Sequence, residues 1–147
     1  MTRTLFALTA ILLLALPAAS QAATYTLPGG TLPSGCSAAG NVVTCGSVRL
    51  GNNDTIVVTS PVTLNVSDFE MGNGASINAD KAASQLTINS ANDVEIGNNA
   101  TVNATINAQD DVSIGTNGAF NGDITAGDSL TIGNNSSVDG VCTPAHP

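Results

Sequence analysis

The sequence predicts an all-β fold, a three-sided β-solenoid with about 18 residues per coil. A heptad that starts with an aliphatic residue and Gly and ends on an apolar residue occurs five times. Its last three copies are spaced by 18 residues, and apolar or small residues recur at every sixth position between Ile96 and Val138. Units of this kind bury their apolar side only by stacking on their neighbours. The copies are Leu50–Ile56, Met71–Ile77, Ile96–Val102, Ile114–Phe120 and Ile132–Val138.

Each group of six residues supplies one short strand and one corner, so three groups complete a coil. The inward positions then form columns along the axis, and every column is apolar or small. The 15 glycines and the many Asn, Thr and Val residues argue against helices, which need an apolar spacing of about 3.6. The period leaves the handedness of the coil open. The predicted columns are Ile96/Ile114/Ile132, Val102/Phe120/Val138, Ala108/Ala126, Val94/Val112/Leu130 and Ile88/Ile106/Ile124/Cys142.

Glycine and asparagine recur at the corners. Both residue types suit a bend repeated at one height, because Gly adopts positive φ freely and Asn tolerates it. Stacked Asn side chains can also form hydrogen bonds along the axis. The columns therefore have a structural interpretation, with a repetitive binding surface as the alternative. They comprise Gly97/Gly115/Gly133 and Asn99/Asn117/Asn135.

The first copies are separated by 21 and 25 residues, so the early coils carry insertions. The larger insertion lies between Ile77 and Ile88 and contains Asp80, Lys81 and Ser84. Insertions in solenoids emerge as loops and often bind ligands. The alternative is a tolerated surface loop.

Four segments organise the chain. Residues 1–22 form a predicted secretory signal, with Arg3 before the apolar run 5–16 and Ser20-Gln21-Ala22 as a small-x-small cleavage site. Residues 23–49 form an N-terminal cap, 50–142 the solenoid repeats and 143–147 a tail that contains His146. The apolar run is shorter than the roughly 20 residues of a membrane span, so we expect an exported protein without stable membrane insertion after cleavage.

Charge excludes one class of partner. Because Arg3 lies in the signal, the formal net charge of -8 becomes −9 for the remainder, where Arg49 and Lys81 are the only Lys or Arg residues. Nucleic-acid binding needs clustered Lys and Arg, so we predict no nucleic-acid partner.

Cys36 and Cys45 flank Gly40-Asn41 and are predicted to close a disulfide loop in an oxidising compartment. Such a loop would cover the first exposed strands. A zinc site is the rival interpretation, but the segment lacks two further ligands. Cys142 falls in an inward column, which leaves two interpretations open: a small buried hydrophobe, or a thiol that forms an intermolecular bond.

The acidic residues allow a weak enzymatic hypothesis. Asp110, Asp111 and Asp128 stack in adjacent coils, with Asp93 one coil earlier. Paired carboxylates act in glycoside hydrolysis and also bind calcium, whereas a solvated corner is the structural alternative. These coils contain no Arg or Lys, and no histidine of the kind that hexapeptide acyltransferases use. We therefore predict a protein that is not an enzyme, with no catalytic, cofactor-binding or metal-binding residues.

Two family resemblances follow from these motifs. The stretch Ile114–Ala126 resembles the coil motif of bactofilins, which implies a polymer-forming β-helical protein. The remainder after the signal resembles the N-terminal β-solenoid of MshQ-type proteins of mannose-sensitive haemagglutinin pilus biogenesis. That resemblance implies a cell-surface role in pilus assembly. It rests on Leu32-Pro33-Ser34-Gly35-Cys36, Val43-Thr44-Cys45, Pro61–Val66, Leu86-Thr87-Ile88-Asn89 and the Ile-Gly-Asn-Asn coils.

The first functional hypothesis is an exported structural or interaction module that pairs through exposed end strands, with itself or with other cell-surface or pilus proteins. Ile132, Val138 and Cys142 would form the joining end. The second is a ligand-binding repeat surface, for glycans or ice, on flat polar ladders. The third is a polysaccharide-active enzyme with Asp93, Asp111 and Asp128 in a groove. The ladders are Thr101/Ala119/Ser137 and Ser113/Thr131.

Overall fold

The computed structural model describes residues 21–144, so most of the predicted signal and residues 145–147, with His146, lie outside the described residues. The described chain is all-β, with 18 strands and one short 3-10 helix, Ala83–Gln85. In chain order the strands are β1 (Thr24–Leu27), β2 (Cys36–Ala39), β3 (Val42–Cys45), β4 (Ser47–Leu50), β5 (Thr55–Val58), β6 (Val62–Val66), β7 (Asp68–Met71), β8 (Ser76–Ile77), β9 (Leu86–Ser90), β10 (Val94–Ile96), β11 (Thr101–Asn103), β12 (Thr105–Ala108), β13 (Val112–Ile114), β14 (Ala119–Asn121), β15 (Ile124–Ala126), β16 (Leu130–Ile132), β17 (Ser137–Asp139) and β18 (Cys142–Pro144).

The strands form three sheets, which confirms the predicted β-solenoid. Successive strands of a coil pass from one sheet to the next, and each strand pairs in parallel with its counterpart in the neighbouring coil. The antiparallel β2–β3 hairpin is the exception among the described residues. The six-stranded sheet has the order β1-β5-β8-β11-β14-β17, the five-stranded sheet β16-β13-β10-β7-β4, and the seven-stranded sheet β18-β15-β12-β9-β6-β3-β2.

The register reproduces the repeat spacing. Along the five-stranded sheet, paired residues are 21, 25, 18 and 18 positions apart. The two early insertions lengthen the average to about 21 residues per turn over about five turns. Parallel pairing already begins at β1, β3 and β4, upstream of the first heptad at Leu50.

The core is a stack of the predicted apolar columns. In the inner coils every second residue of a strand points inward and is buried, as the two-residue period of a strand requires. All five predicted columns pair in register. Phe69 and Phe120 fill column positions that hold smaller aliphatic residues in other coils.

Glycine and asparagine have different structural roles at the corners. Asn99, Asn117 and Asn135 do adopt positive φ, between 56° and 58°. The neighbouring glycines are required for a different reason: a Cβ on Gly97 would lie 2.6 Å from the Met71 carbonyl oxygen of the adjacent coil. Close stacking of the coils therefore selects glycine there, whereas the bend selects asparagine.

The larger insertion forms a loop that includes the 3-10 helix and carries Asp80, Lys81 and Ser84, all exposed. Two asparagines tie it to the solenoid. The buried Asn78 side chain donates hydrogen bonds to the carbonyls of Ala82 and Asn103, at 3.0 and 2.8 Å. The Asn103 amide reaches back to the loop carbonyl of Lys81 at 3.0 Å. The loop is thus anchored at its base.

Candidate functional site

The C-terminal end of the described solenoid is a coil of three edge strands, β16, β17 and β18. Each pairs on one side only, so the backbone N–H and C=O groups of the outer side have no strand to pair with among the described residues. Two of its apolar residues are also exposed, Ile132 by 43% and Val141 by 65%. An open strand edge beside exposed aliphatic side chains is a template for joining another chain.

The structure brings the three predicted contact residues together in this last coil. Ile132 continues the Ile96/Ile114 column, and Val138 continues the Val102/Phe120 column and is half-buried. Cys142 pairs in register with Ile124, as its column predicts, but its free thiol is exposed. The inward position of Cys142 therefore does not make it a buried residue in the single chain. Sequence analysis had not singled out Val141, which precedes the last strand.

The N-terminal end also has three edge strands, β1, β4 and β2, but its inward residues are covered. Cys36 and Cys45 form the predicted disulfide, between directly paired residues of β2 and β3. Leu32 packs against the core, and Pro33 beside it is buried. The first inward residues of the five-stranded sheet, such as Val48, are almost fully buried. The disulfide is compatible with an oxidising compartment outside the cytoplasm.

The stacked residues Asp93, Asp110, Asp111 and Asp128 form an aspartate stripe whose members are joined to neighbouring coils by hydrogen bonds. Asp93 Oδ1 accepts from the Asp111 N–H at 3.1 Å, and Asp111 Oδ1 accepts from the Ser129 N–H at 2.9 Å. Asp110 and Asp128 form a separate column, joined through their backbones at 3.1 Å. Within residues 21–144, no group of three or more His, Cys, Asp or Glu side chains is placed to hold a metal ion. These contacts favour the structural interpretation of the stripe.

A shallow depression crosses the five-stranded sheet beside this stripe. Arg49 and Glu70 form an ion pair of 2.6 Å among its lining residues, and Glu95, which has no ion-pair partner within residues 21–144, extends the same column. Asp93 and Asp111 line the adjoining depression, whereas Asp128 lies outside its lining. The structure therefore brings two of the three hypothetical catalytic aspartates to one groove.

One carboxyl group of this surface has a displaced pKa. Asp68 accepts hydrogen bonds from the Asn92 amide at 3.0 Å and from the Ser47 hydroxyl at 2.8 Å. Both bonds favour the charged form and hold the pKa of Asp68 below its ordinary value, with the Asn92 bond having the larger effect.

Polar ladders run along two sheets. The predicted Thr101/Ala119/Ser137 ladder is in register and extends upstream through Ser76, Thr55 and Thr24, with a Thr55–Ser76 hydroxyl contact of 3.2 Å. The Ser113/Thr131 pair is also in register, but the same column continues as Glu95, Glu70 and Arg49.

A third ladder, on the seven-stranded sheet, was not predicted from the sequence, and only one of its two steps has the 18-residue spacing. It consists of Asn65, Asn89 and Asn107, whose side-chain amides are joined by hydrogen bonds of 2.9 and 3.0 Å.

In comparisons with known proteins, no family model, no curated protein and no solved structure matches this chain. In the part of the chain that the structure describes, no helix is long and apolar enough to cross a membrane.

Proposed function

We propose that this protein is an exported, non-enzymatic β-solenoid that serves as a structural or interaction module at a bacterial cell surface. Its mechanism is association through the C-terminal coil. The observation that carries this proposal is the contrast in exposure between the covered first coil and the last coil, where Ile132 and Val141 face solvent. The resemblance to MshQ-type and bactofilin coils supports pilus or fibre assembly as the setting.

The partner that fits the C-terminal coil best is a second copy of the same coil. A two-fold axis perpendicular to the solenoid reverses the strand direction, so the three edge strands of two copies would meet in antiparallel pairs. The contact would bury Ile132 and Val141 and pair their edge backbone groups. A head-to-tail fibre would instead join the last coil to the N-terminal edge strands β1, β4 and β2, and β2 runs antiparallel to the coil strands because it belongs to the β2–β3 hairpin.

Light scattering of the processed protein across a concentration series, with and without reductant, tests this proposal. We expect a dimer that dissociates on dilution, and a monomer for Ile132→Asp. Val57→Asp is the matched control, because Val57 is 40% exposed but lies on a side of the solenoid. A monomer at every concentration would contradict the proposal, and particles growing beyond dimers would favour the fibre.

Cys142 provides a covalent variant of the same contact, since its thiol is exposed in edge strand β18. We expect Cys142→Ser to shift the oligomer distribution on non-reducing gels. An unchanged distribution would remove the covalent role while leaving the strand-pairing contact in place.

A second candidate function is ligand binding by the repeat surface, for glycans or ice. The hydroxyl ladder of the six-stranded sheet favours it, because five of the six positions from Thr24 to Ser137 are Thr or Ser. Strands stacked at about 4.8 Å give such a ladder a regular spacing. Thr101→Leu, on the outward surface, would abolish binding to a glycan array or thermal hysteresis if this candidate holds.

A further inference from the structure

Asp54 differs from every other carboxylate of the described residues, because it is the buried one, with 7% of its surface exposed. It occupies a corner column in which the following coils place small residues. The pairing of β5, β8, β11, β14 and β17 defines that column as Asp54, Ala75, Ala100, Gly118 and Ser136. Asp54 is therefore the only aspartate of this column, and it lies in the coil whose strand β5 pairs with β1.

Both oxygens of Asp54 accept hydrogen bonds from backbone nitrogen atoms. Oδ1 lies 2.6 Å from the nitrogen of Ala23, and Oδ2 lies 2.7 Å from the nitrogen of Gly51. The Thr55 N–H donates to the Ala23 carbonyl at 2.8 Å and so fixes Ala23 beside the carboxylate. The nitrogen of Ala23 is thus held at a buried negative charge.

No cationic side chain of the described residues neutralises that charge. Arg49 is paired with Glu70, and Lys81 lies in the exposed insertion loop. A buried carboxylate without a cation is costly, and hydrogen bonds from charged donors are about twice as strong as those from neutral ones. The position next to Asp54 Oδ1 therefore favours a positively charged nitrogen.

We propose that Asp54 is the acceptor for the α-ammonium group of a processed N-terminus at Ala23. This inference rests on the exported state in the proposed function. Hydrolysis of the Ala22–Ala23 peptide bond adds one water, leaving a carboxylate on Ala22 and an amine on Ala23. That amine takes up a proton at neutral pH, because α-amino groups have a pKa of about 7.7–8.0. Gln21 and Ala22 are exposed, so their removal uncovers no core residue.

The Asp54–Ala23 ion pair would make the attachment of β1 to β5 depend on cleavage of the signal. Ala23 immediately precedes β1, the outermost strand of the six-stranded sheet, and β1 ends at the fully buried Leu27. An ion pair at the start of β1 holds this strand on β5. Before cleavage the same nitrogen is a neutral amide and makes a weaker bond.

Two measurements test the inference. The first is intact mass and N-terminal sequencing of the protein exported by a bacterial host that expresses the full chain, where we expect Ala23 as the first residue. A chain that is neither exported nor cleaved contradicts the proposed function. Cleavage at another bond overturns the inference and leaves export standing.

The second measurement is thermal unfolding at pH 7 of proteins released from a cleavable fusion to begin at Ala23 or at Gln21. We expect the Ala23 start to lower the unfolding equilibrium constant by roughly tenfold, since a charged donor replaces a neutral one. Asp54→Asn abolishes the difference between the two starts, whereas the matched control Asp80→Asn, at an exposed carboxylate, preserves it. Equal unfolding of the two starts with Asp54 intact overturns the inference, even where Asp54→Asn fails to fold.

Discussion

The two ends of the solenoid differ in how completely they cover the core. Leu50 and Ile132 are the first and last members of one inward column, yet Leu50 is 2% and Ile132 43% exposed. Residues that break the repeat, Leu32 and the β2–β3 hairpin, lie at the N-terminal end. The same inward column is therefore buried at the end that carries these non-repeat residues and exposed at the other end of the described chain.

Truncating the first and the last residue of this column should separate the stabilities of the two ends most clearly. Leu50→Ala creates a cavity in a covered coil, and we expect it to lower the free energy of unfolding by about 2–5 kcal/mol. Ile132→Ala removes side-chain surface that is already half in water, so its cost in the monomer is about 1 kcal/mol or less. Urea unfolding at concentrations where the protein is monomeric measures both. Equal losses would mean that the C-terminal coil is covered in solution.

The next largest effect comes from opening the disulfide of the covered end. The double variant Cys36→Ser, Cys45→Ser removes a disulfide between residues nine positions apart. We expect it to lower the free energy of unfolding by about 2–3 kcal/mol. Cys142→Ser is the matched control at the open end, because its thiol is free and exposed. A double variant as stable as the control would show that packing of Leu32, rather than the cross-link, closes this end.

The two ends also differ in the space that surrounds their corner glycines. A Cβ on Gly133 would lie 2.6 Å from the backbone of Gly115 in the preceding coil, whereas on Gly51 the nearest atom is an Asp54 oxygen at 3.2 Å. We expect Gly133→Ala to displace the last coil at a cost of about 1–3 kcal/mol, and Gly51→Ala to cost less. Hydrogen exchange of the β16 and β17 amides reports the displacement. Unchanged protection there would contradict close stacking as the reason for this glycine.

Much of the solenoid could be predicted from the sequence, because a fixed period determines which residues share a column. The Ile96/Ile114/Ile132 column and the Cys36–Cys45 bond are as predicted. The expectation that positive φ selects glycine at the corners was wrong for Gly97. Glycine is required there because the adjacent coil leaves no room for a Cβ. The spacing of residues along the sequence does not give the distance between the backbones of adjacent coils.

The features of the candidate sites were harder to predict, since they depend on solvent exposure and on contacts outside the 18-residue register. The exposure of Cys142 reflects the absence of a further coil over it in the described chain, not its own column position. The contact between Ala23 and Asp54 joins residues 31 positions apart, outside the 18-residue register. The third ladder, with Asn65 and Asn89 at a separation of 24, escapes the same register.

The smallest predicted effect is a pH dependence at the covered end. The hydrogen bond from Asn92, and then that from Ser47 of the first coil, hold the pKa of Asp68 below its ordinary value of 3.8. The unfolded chain then binds this proton at a higher pH than the folded chain, so the stabilisation is complete above the ordinary pKa. It is lost as pH falls through the lower folded value. Asp68→Asn should flatten the stability curve as the pH falls below the ordinary value of 3.8, measured by urea unfolding, whereas the exposed Asp80→Asn should not. Identical slopes for the two variants would place the pH sensitivity of the N-terminal end elsewhere than in the Ser47–Asp68–Asn92 contact.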